Sequence, residues 1–276
     1  MLTVMSGGRL EIKMNKTVKT LLIILCVVCV GVFCYSGYKL FYTLNQYKVA
    51  QRSYNEMSEQ YVTTESPAAT EAPVEENDTS DETKEVSPIK VDFDQLLSQN
   101  EDVCGWLYSK DTVINYPVAQ GDDNNEYLHH LLDGSYNSSG TLFVDCECGP
   151  EFSGTNTIVY GHNMKDGSMF NSLTSYKDQT YYDEHPVMYL NTPKQNYKIE
   201  IFTAYICNYD SDTYTHDFYS ADEYASWLTK MKSQSSITCD VDVDPANDRV
   251  ITLSTCTYEY DNARFVVQGK LVALDG

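Results

Sequence analysis

The stretch Ile251–Val267 reads ITLSTCTYEYDNARFVV, and it is the segment of the chain that says most about the fold. Two runs rich in β-branched and apolar residues flank a polar connection, a pattern that predicts a β-hairpin. Cys256 ends the first predicted strand, and Arg264 begins the second. Because neighbouring antiparallel strands bring such positions to the same end of a sheet, we expect the thiol and the guanidinium to lie close together.

This pairing of a cysteine with an arginine favours a catalytic reading. A guanidinium stabilises the thiolate form of a nearby cysteine, and it donates hydrogen bonds to an oxyanion that forms beside the sulfur. A buried cysteine beside a surface arginine would give the same spacing and is the commoner case. The hairpin alone therefore does not establish a nucleophile.

A histidine supplies the proton-transfer group that such a nucleophile needs. His162 follows the apolar run Ile-Val-Tyr, with Gly161 between them as a break, so it also lies at a strand end. Imidazole exchanges protons near neutral pH. Papain-like sites add an Asn or Asp that orients the histidine, and no such partner is identifiable in the sequence. The other histidines fit the role less well: His129 and His130 in a short helix-like segment, His185 before a proline, and His216 in a polar loop.

Short β-type runs separated by turn signals continue on both sides of these residues. Helices are predicted over Val91–Asn100, over Asp222–Lys232, where one face is apolar, and more weakly over Ser168–Tyr176. Many short strands with few helices indicate a mainly β fold, a barrel or sandwich of mixed pairing. The predicted strands are Gly105–Tyr108, Thr112–Val118, Thr141–Asp145, Thr157–Tyr160, Val187–Leu190, Tyr197–Ile206, Arg249–Ser254 and Phe265–Leu274.

Composition divides the chain into four parts. Residues 1–19 are short and basic, and residues 20–38 carry no charge and span about 28 Å as a helix, roughly one hydrocarbon core. Residues 39–90 are predicted to form an extracellular stalk that is acidic and disordered from about residue 63. Residues 91–276 are predicted to form the globular domain.

The apolar segment is expected to be a permanent membrane anchor. It is longer than the core of a signal peptide and lacks a small-residue cleavage site. The basic residues before it predict a cytoplasmic N-terminus and an extracellular domain, although Lys39, Lys48 and Arg52 follow it and reduce this asymmetry. The formal net charge of −21 argues against nucleic acid as a partner.

The nine cysteines do not form a complete disulfide framework in this interpretation. Three lie in the apolar segment and six outside it. If Cys256 is a free thiol, an odd number remains outside the membrane, so at least one more is unpaired. Cys146 and Cys148 are too close for an easy disulfide and have no histidine cluster nearby to indicate zinc. We expect no metal site.

Taken together, the motifs resemble those of class B sortases, membrane-anchored cysteine transpeptidases of Gram-positive bacteria. TLSTC followed by Arg264 in RFVVQGKL resembles the nucleophile-and-arginine hairpin of that family, and YGHNM resembles its histidine segment. The resemblance spans about residues 93–274. Four further motifs match in order: NEDVCGWL (Asn100–Leu107), INYPV (Ile114–Val118), DNNEYL (Asp123–Leu128) and GTLFVD (Gly140–Asp145).

The resemblance implies a closed eight-stranded β-barrel with an N-terminal helical element and a helix before the nucleophile strand. Its substrates would be surface proteins with a C-terminal sorting signal, cleaved after Thr and transferred through a Cys thioester to an amine of peptidoglycan or its lipid-linked precursor, without a cofactor. Cys256 would be the nucleophile, His162 its proton partner and Arg264 the cation on the oxyanion side. The residues expected to line the peptide groove are Asn124, Leu128, Tyr160 and Ser254. The loop Asn208–Tyr219 is where selectivity would lie.

Three alternatives remain open from the sequence. Another extracellular cysteine enzyme, such as a cysteine protease or an L,D-transpeptidase, would share the cysteine and histidine but need no sorting peptide. A pilus-assembling sortase would use the same chemistry with a different amine. A non-enzymatic tethered domain that binds the wall would need neither residue.

Overall fold

The computed structural model describes residues 2–6, 9–13, 15–64 and 85–275. The chain forms two compact units, Met1–Gln46 and Tyr47–Gly276. The acidic stretch 65–84, which carries most of the predicted disordered tether, lies outside the described residues.

The first unit contains a short hairpin and the start of a long helix. Strands β1 (Leu2–Ser6) and β2 (Arg9–Lys13) pair antiparallel. Helix α1 (Lys16–Tyr61) follows, and every side chain from 15 to 45 is exposed, including the apolar ones between 20 and 38. Within the part of the chain that the structure describes, α1 is the one helix long and apolar enough to cross a membrane. A helix satisfies its own backbone hydrogen bonds, as a membrane span requires.

The second unit begins earlier than the predicted domain boundary at residue 91. The last turns of α1 bury Ala50, Tyr54 and Tyr61 in the hydrophobic core, and Met57 packs beside them. The Tyr54 hydroxyl donates to the carbonyl of Gly140. These four positions share one helical face. Polar residues separate these positions, which is why the sequence predicts a stalk here. In the structure, residues 47–61 form the last turns of α1 and belong to the globular unit.

Two short elements lead from this helix into the barrel. Strand β3 (Val62–Thr64) pairs antiparallel with β4 (Ile89–Val91). Helix α2 (Phe93–Gln99) then begins at Asp92, whose side chain accepts a hydrogen bond from the backbone N–H of Gln95 at 3.1 Å, a typical N-cap. The predicted N-terminal helix is therefore confirmed.

Eight strands close into one barrel in the order β10-β12-β11-β8-β7-β6-β5-β9. The pairs β8/β11 and β6/β7 are parallel and the others are antiparallel, so the barrel is mixed, as predicted. Each of the eight predicted strands has a counterpart. The strands are β5 (Val103–Tyr108), β6 (Asn115–Ala119), β7 (Leu142–Val144), β8 (Asn156–Tyr160), β9 (Val187–Asn191), β10 (Tyr197–Asn208), β11 (Val250–Cys256) and β12 (Ala263–Ala273).

Three helices and three 3₁₀ segments fill the connections. Helix α5 (Ala221–Ser233) precedes β11, the strand that ends at Cys256, as predicted. It buries Tyr224, Trp227, Leu228 and Met231 against β10 and its neighbours. The predicted Ser168–Tyr176 helix is a 3₁₀ segment at Asn171–Lys177. The others are α3 (Glu126–His129), α4 (Gln179–Glu184), and 3₁₀ turns at Pro150–Phe152 and Asp212–Tyr214.

Strand β11 explains why Cys256 has a rigid support. Every residue from Val250 to Thr255 is buried, and only Cys256 at the carboxyl end is partly exposed. A strand covered on both faces reads as a continuous run of residues that tolerate burial, which is how ITLST reads. The thiol is therefore the point at which this strand reaches solvent.

Candidate active site

The β11–β12 hairpin places Cys256 and Arg264 as backbone partners. They are the last pair in the antiparallel register of the two strands, and paired positions carry their side chains on the same face of a sheet. Both residues are partly exposed. Arg264 donates from Nη1 to the carbonyl of Ala263 at 3.1 Å, and no carboxylate within the described residues forms an ion pair with it. The guanidinium is available to an anion that forms beside the sulfur.

The parallel pairing of β8 with β11 brings His162 to the same edge. Tyr160 and Ser254 are the last registered pair, and Gly161 then donates from its N–H to the carbonyl of Ser254 at 3.1 Å. A Cβ at Gly161 would lie 2.5 Å from Leu142 and 2.6 Å from Phe170, so only glycine fits there. His162 therefore leaves its strand at the level where Cys256 ends the neighbouring strand.

Asn163 ties these two strand ends together. Its Nδ2 donates to the carbonyl of Cys256 at 2.8 Å, and its Oδ1 accepts from Nδ2 of Asn171 at 2.6 Å. Thr255 adds a second link through its hydroxyl, which donates to the carbonyl of Gly161 at 2.7 Å. These bonds fix the backbone of the histidine segment against that of the cysteine.

A backbone carbonyl orients the imidazole of His162. Nε2 lies 2.8 Å from the carbonyl oxygen of Leu128 in α3. Because a carbonyl only accepts, Nε2 carries the proton of the neutral ring and Nδ1 is left for proton transfer. A Cβ at Gly140, whose φ is +56°, would lie 2.6 Å from this carbonyl oxygen, so a glycine keeps the approach clear. The sequence offered no orienting partner because a main-chain carbonyl has no residue signature.

The surroundings of His162 favour its neutral form. The ring of His162 is half-buried, and the loss of water around it lowers its pKa. The hydrogen bond to the carbonyl of Leu128 raises the pKa, and the nearby ring of His129 lowers it further. The two imidazoles are stacked, with ring centroids 5.8 Å apart and planes inclined by 21°. The imidazolium is therefore the disfavoured state of this histidine.

One cavity of roughly 520 Å³ contains every site residue that the sequence predicted. No carboxylate lines this cavity, and its formal positive charge comes from Arg264. The predicted residues in the wall are Asn124, Leu128, Tyr160, His162, Ser254, Cys256 and Arg264, and the further lining residues are Asn125, Phe143, Gly161, Tyr209, Tyr214 and Thr255.

Two stacked tyrosines form one side of the cavity. The rings of Tyr160 and Tyr214 have centroids 6.1 Å apart and are inclined by 29°. The Tyr160 hydroxyl donates to Oδ2 of Asp145 at 2.8 Å, and the Tyr214 hydroxyl lies 2.9 Å from Oγ of Ser254. Burial raises the pKa of both tyrosines, which keeps them neutral. The wall is rigid and able to contact an extended peptide.

The sequence identified the loop Asn208–Tyr219 but not Tyr214 within it. The position of this tyrosine depends on backbone contacts: Nδ2 of the fully buried Asn156 donates to the carbonyl of Thr215 at 2.8 Å, and Nε1 of Trp227 donates to that of Asp212 at 2.8 Å. A polar side chain in an otherwise apolar strand was the available signal for Asn156.

The cysteines of the described residues form no disulfides. All nine cysteines are free, and Cys146 and Cys148 do not bridge. Within the described ranges, no group of three or more His, Cys, Asp or Glu side chains is placed to hold a metal ion.

The family model of the Sortase domain matches residues 109–272, a range that includes every residue lining the cavity. Sortase B of Listeria monocytogenes is 36% identical over 250 residues, covering 90% of this chain and 95% of that protein. The chain belongs to the sortase family, class B. Sortase B of Staphylococcus aureus is 29% identical over 92% of this sortase and 96% of its own length.

Solved structures give the same assignment for the fold. A Staphylococcus aureus sortase B–substrate complex superposes with a TM-score of 0.63 at 32% identity, covering 66% of this chain and 85% of that one. Sortase B from Bacillus anthracis in complex with AAEK1 superposes with a TM-score of 0.68 at 31% identity, covering 83% and 99%. This sortase is therefore a cysteine transpeptidase on a closed mixed barrel, and the unrelated cysteine peptidase and the non-enzymatic domain are set aside.

Proposed function

We propose that Cys256, His162 and Arg264 carry the transpeptidation, with Cys256 as the nucleophile. The observation that supports this most strongly is the registered pair of Cys256 and Arg264 at the wall of a cavity that also holds His162. Three strand ends converge there, and each delivers one of the chemical groups that acyl transfer needs.

In the first half-reaction, the Cys256 thiolate attacks the carbonyl carbon of a Thr in the sorting motif. The negative charge moves to the carbonyl oxygen, and Arg264 stabilises it through charge-assisted hydrogen bonds. When the C–N bond breaks, His162 transfers a proton from Nδ1 to the leaving amide nitrogen. The products are a thioester on Cys256 and the released C-terminal part of the surface protein.

In the second half-reaction, an amine of peptidoglycan or its lipid-linked precursor attacks the thioester carbon. His162 accepts the amine proton as the new amide bond forms, and Cys256 leaves as the thiolate. Since burial opposes the imidazolium form of His162, the reactive thiolate–imidazolium pair is a minor fraction of the molecules.

The peptide is proposed to lie along the stacked tyrosines. Leu128 and Phe143 offer apolar contacts, and Asn124, Ser254 and the Tyr214 hydroxyl offer polar ones. Ser254 lies two residues before Cys256 on the same face of β11, so it would contact the substrate close to the scissile bond. The loop that carries Tyr214 is then the segment that selects among sorting motifs.

The site is proposed to lie outside the cell, with the protein held in the membrane by residues 20–38 of α1. Basic residues at 9, 13, 16 and 19 precede this apolar stretch, which favours a cytoplasmic N-terminus. The partners in this arrangement are surface proteins with a C-terminal sorting signal and the growing cell wall.

Trapping the acyl-enzyme tests the proposal. The protein would be incubated with a degenerate sorting-peptide library without acceptor amine, and intact mass spectrometry would then locate the added acyl group. We expect an adduct on Cys256 that ends in Thr, its absence in Cys256→Ala, and its presence in Cys146→Ala, which removes another partly exposed thiol outside the cavity. An adduct that survives in Cys256→Ala would refute the assignment.

A further inference from the structure

Three aromatic rings form a column that runs from solvent to His162. The exposed ring of His129 lies between Tyr136, with a centroid distance of 5.9 Å, and His162, with a centroid distance of 5.8 Å. His129 is the last residue of α3, and its carbonyl accepts a hydrogen bond from the N–H of Asn137 at 2.8 Å. The backbone that carries the ring is therefore fixed, and the stack is built into the fold.

Leu128 and His129 are adjacent in the chain, and both contact the imidazole of His162. The carbonyl of Leu128 holds Nε2 of His162 in the plane of the imidazole ring, while the ring of His129 covers one of its faces. Adjacent residues of one short helix thus restrain the histidine in two perpendicular directions.

Few charged groups face His162 from the elements around it. Helix α3 presents His129, β11 presents Cys256, β12 presents Arg264, and the aromatic wall presents the neutral Tyr160 and Tyr214. His130 contacts other groups: its Nδ1 lies 2.7 Å from the carbonyl oxygen of Glu126, and its ring meets the outer ring of Tyr136 edge-on at a centroid distance of 5.9 Å. No described carboxylate lines the cavity to offset positive charge.

We propose that His129 is a positioning residue for the proton-transfer step, which acts through His162 by stacking on its ring and by opposing a second positive charge there. The exposed ring of His129 is stacked on the half-buried ring of His162, with centroids 5.8 Å apart, so a charge on one ring is felt by the other. A cation about 6 Å away then disfavours protonation of His162. The inference rests on the proposed role of His162, and it adds a residue whose own charge sets the pH at which that role is available.

Replacing the ring by an uncharged ring of similar shape tests the proposal. The pKa of His162 would be measured by NMR titration of ¹³C-labelled imidazoles in the Cys256→Ala background, with and without His129→Phe. We expect the pKa of His162 to rise by about half a unit when the charge at 129 is removed. His130→Phe is the matched control, because it removes the adjacent imidazole, whose ring contacts Tyr136 edge-on, while keeping an aromatic ring at that contact. We expect it to leave the pKa of His162 unchanged.

A kinetic measurement uses the same variants in the active protein. If the reactive form has an ionised Cys256 and a protonated His162, the acid limb of kcat/KM follows His162. His129→Phe should therefore move this limb to higher pH and raise the plateau by about threefold, while His130→Phe moves neither. His129→Gln removes the charge without an aromatic ring, and it should shift the limb in the same direction.

The two measurements separate this inference from the proposed function. Equal pKa values for His162 in His129→Phe and in the parent would overturn the inference, whatever the activity. An unperturbed rate in His162→Ala would instead overturn the role of His162 and leave the NMR result standing.

Discussion

Cys256 and Arg264 are partners across the last registered pair of β11 and β12, one residue from the turn that joins the strands. Such a pair holds its two side chains about 5 Å apart at the Cβ atoms, without help from any loop. The strand register therefore fixes the spacing of these two Cβ atoms.

This fixed relationship predicts a loss of turnover when the planar guanidinium is replaced. Arg264→Lys keeps the charge but loses the forked donor, so we expect kcat to fall about 10²- to 10³-fold with little change in KM. A fluorogenic sorting peptide gives both constants. Arg249→Lys is the matched control, because Arg249 lies at the other end of β11 and bonds the carbonyl of Phe152. A change confined to KM would contradict an oxyanion role.

The lowered pKa of His162 predicts the position of the acid limb. The reactive form needs a protonated His162 and an ionised Cys256, so activity rises with pH as the thiol ionises and levels off where His162 begins to lose its proton. Burial moves the titration of His162 below its ordinary value of 6.5, and the acid limb of kcat/KM should lie below that pH. A limb centred at or above pH 7 would show that burial does not control this histidine.

Asn163 is predicted to matter for rate rather than for substrate binding. Asn163→Ala removes the hydrogen bond to the Cys256 carbonyl, so the histidine segment loses one of its links to β11 and keeps the one through Thr255. We expect kcat to fall about tenfold to a hundredfold, with KM and thermal stability changing little. Asn171→Ala removes only the supporting bond to Asn163 and should have a smaller effect in the same direction. Equal effects of the two variants would argue against a direct link.

The Tyr214 hydroxyl is predicted to act on substrate affinity. Tyr214→Phe keeps the stack on Tyr160 and removes the hydroxyl that bonds Ser254 and contacts the sulfur of Cys207. We expect KM to rise about three- to tenfold at nearly constant kcat. Tyr209→Phe is a suitable control, since Tyr209 is an exposed lining residue for which no such bond to Ser254 is observed. A drop in kcat alone would place Tyr214 in the chemistry instead of the groove.

The packed end of α1 predicts that the globular unit needs residues before 62. Tyr54→Phe removes a buried hydroxyl that bonds Gly140, and it should destabilise the unit by about 1 kcal/mol, or roughly 2–4 °C in melting temperature. A truncated chain beginning at Tyr47 should melt well above one beginning at Pro88. Thermal unfolding followed by circular dichroism makes the comparison, and equal melting temperatures would show that α1 contributes nothing to this unit.

The strands, and the convergence of the proposed site residues at one end of the barrel, were predictable for one physical reason. Buried strands read as unbroken apolar runs, and Cys256, His162 and Arg264 lie where such runs begin or end. The orienting carbonyl of Leu128 and the anchoring of the Tyr214 loop by Asn156 were not predictable in this way, because both depend on which backbone atoms the fold brings together. His129 was passed over for a related reason: its partner ring lies 33 positions further along the chain.

The buried face at the end of α1 shows the opposite limit. Ala50, Tyr54 and Tyr61 repeat with a helical period, yet the polar residues between them match a solvated tether equally well. The contact of this face with Gly140 and the hydrophobic core distinguishes a packed helix from a solvated tether.

The parallel pairing of β8 with β11 brings together proposed catalytic groups from distant parts of the polypeptide. His162 lies before the 234–249 connection, whereas Cys256 and Arg264 both follow it, and the two parts meet along one seam of the barrel. A chain cut in that connection would yield two inert halves that regain turnover only on reassociation. The fold thus lends itself to a split reporter, in which restored ligation of a peptide signals that two fused proteins have met.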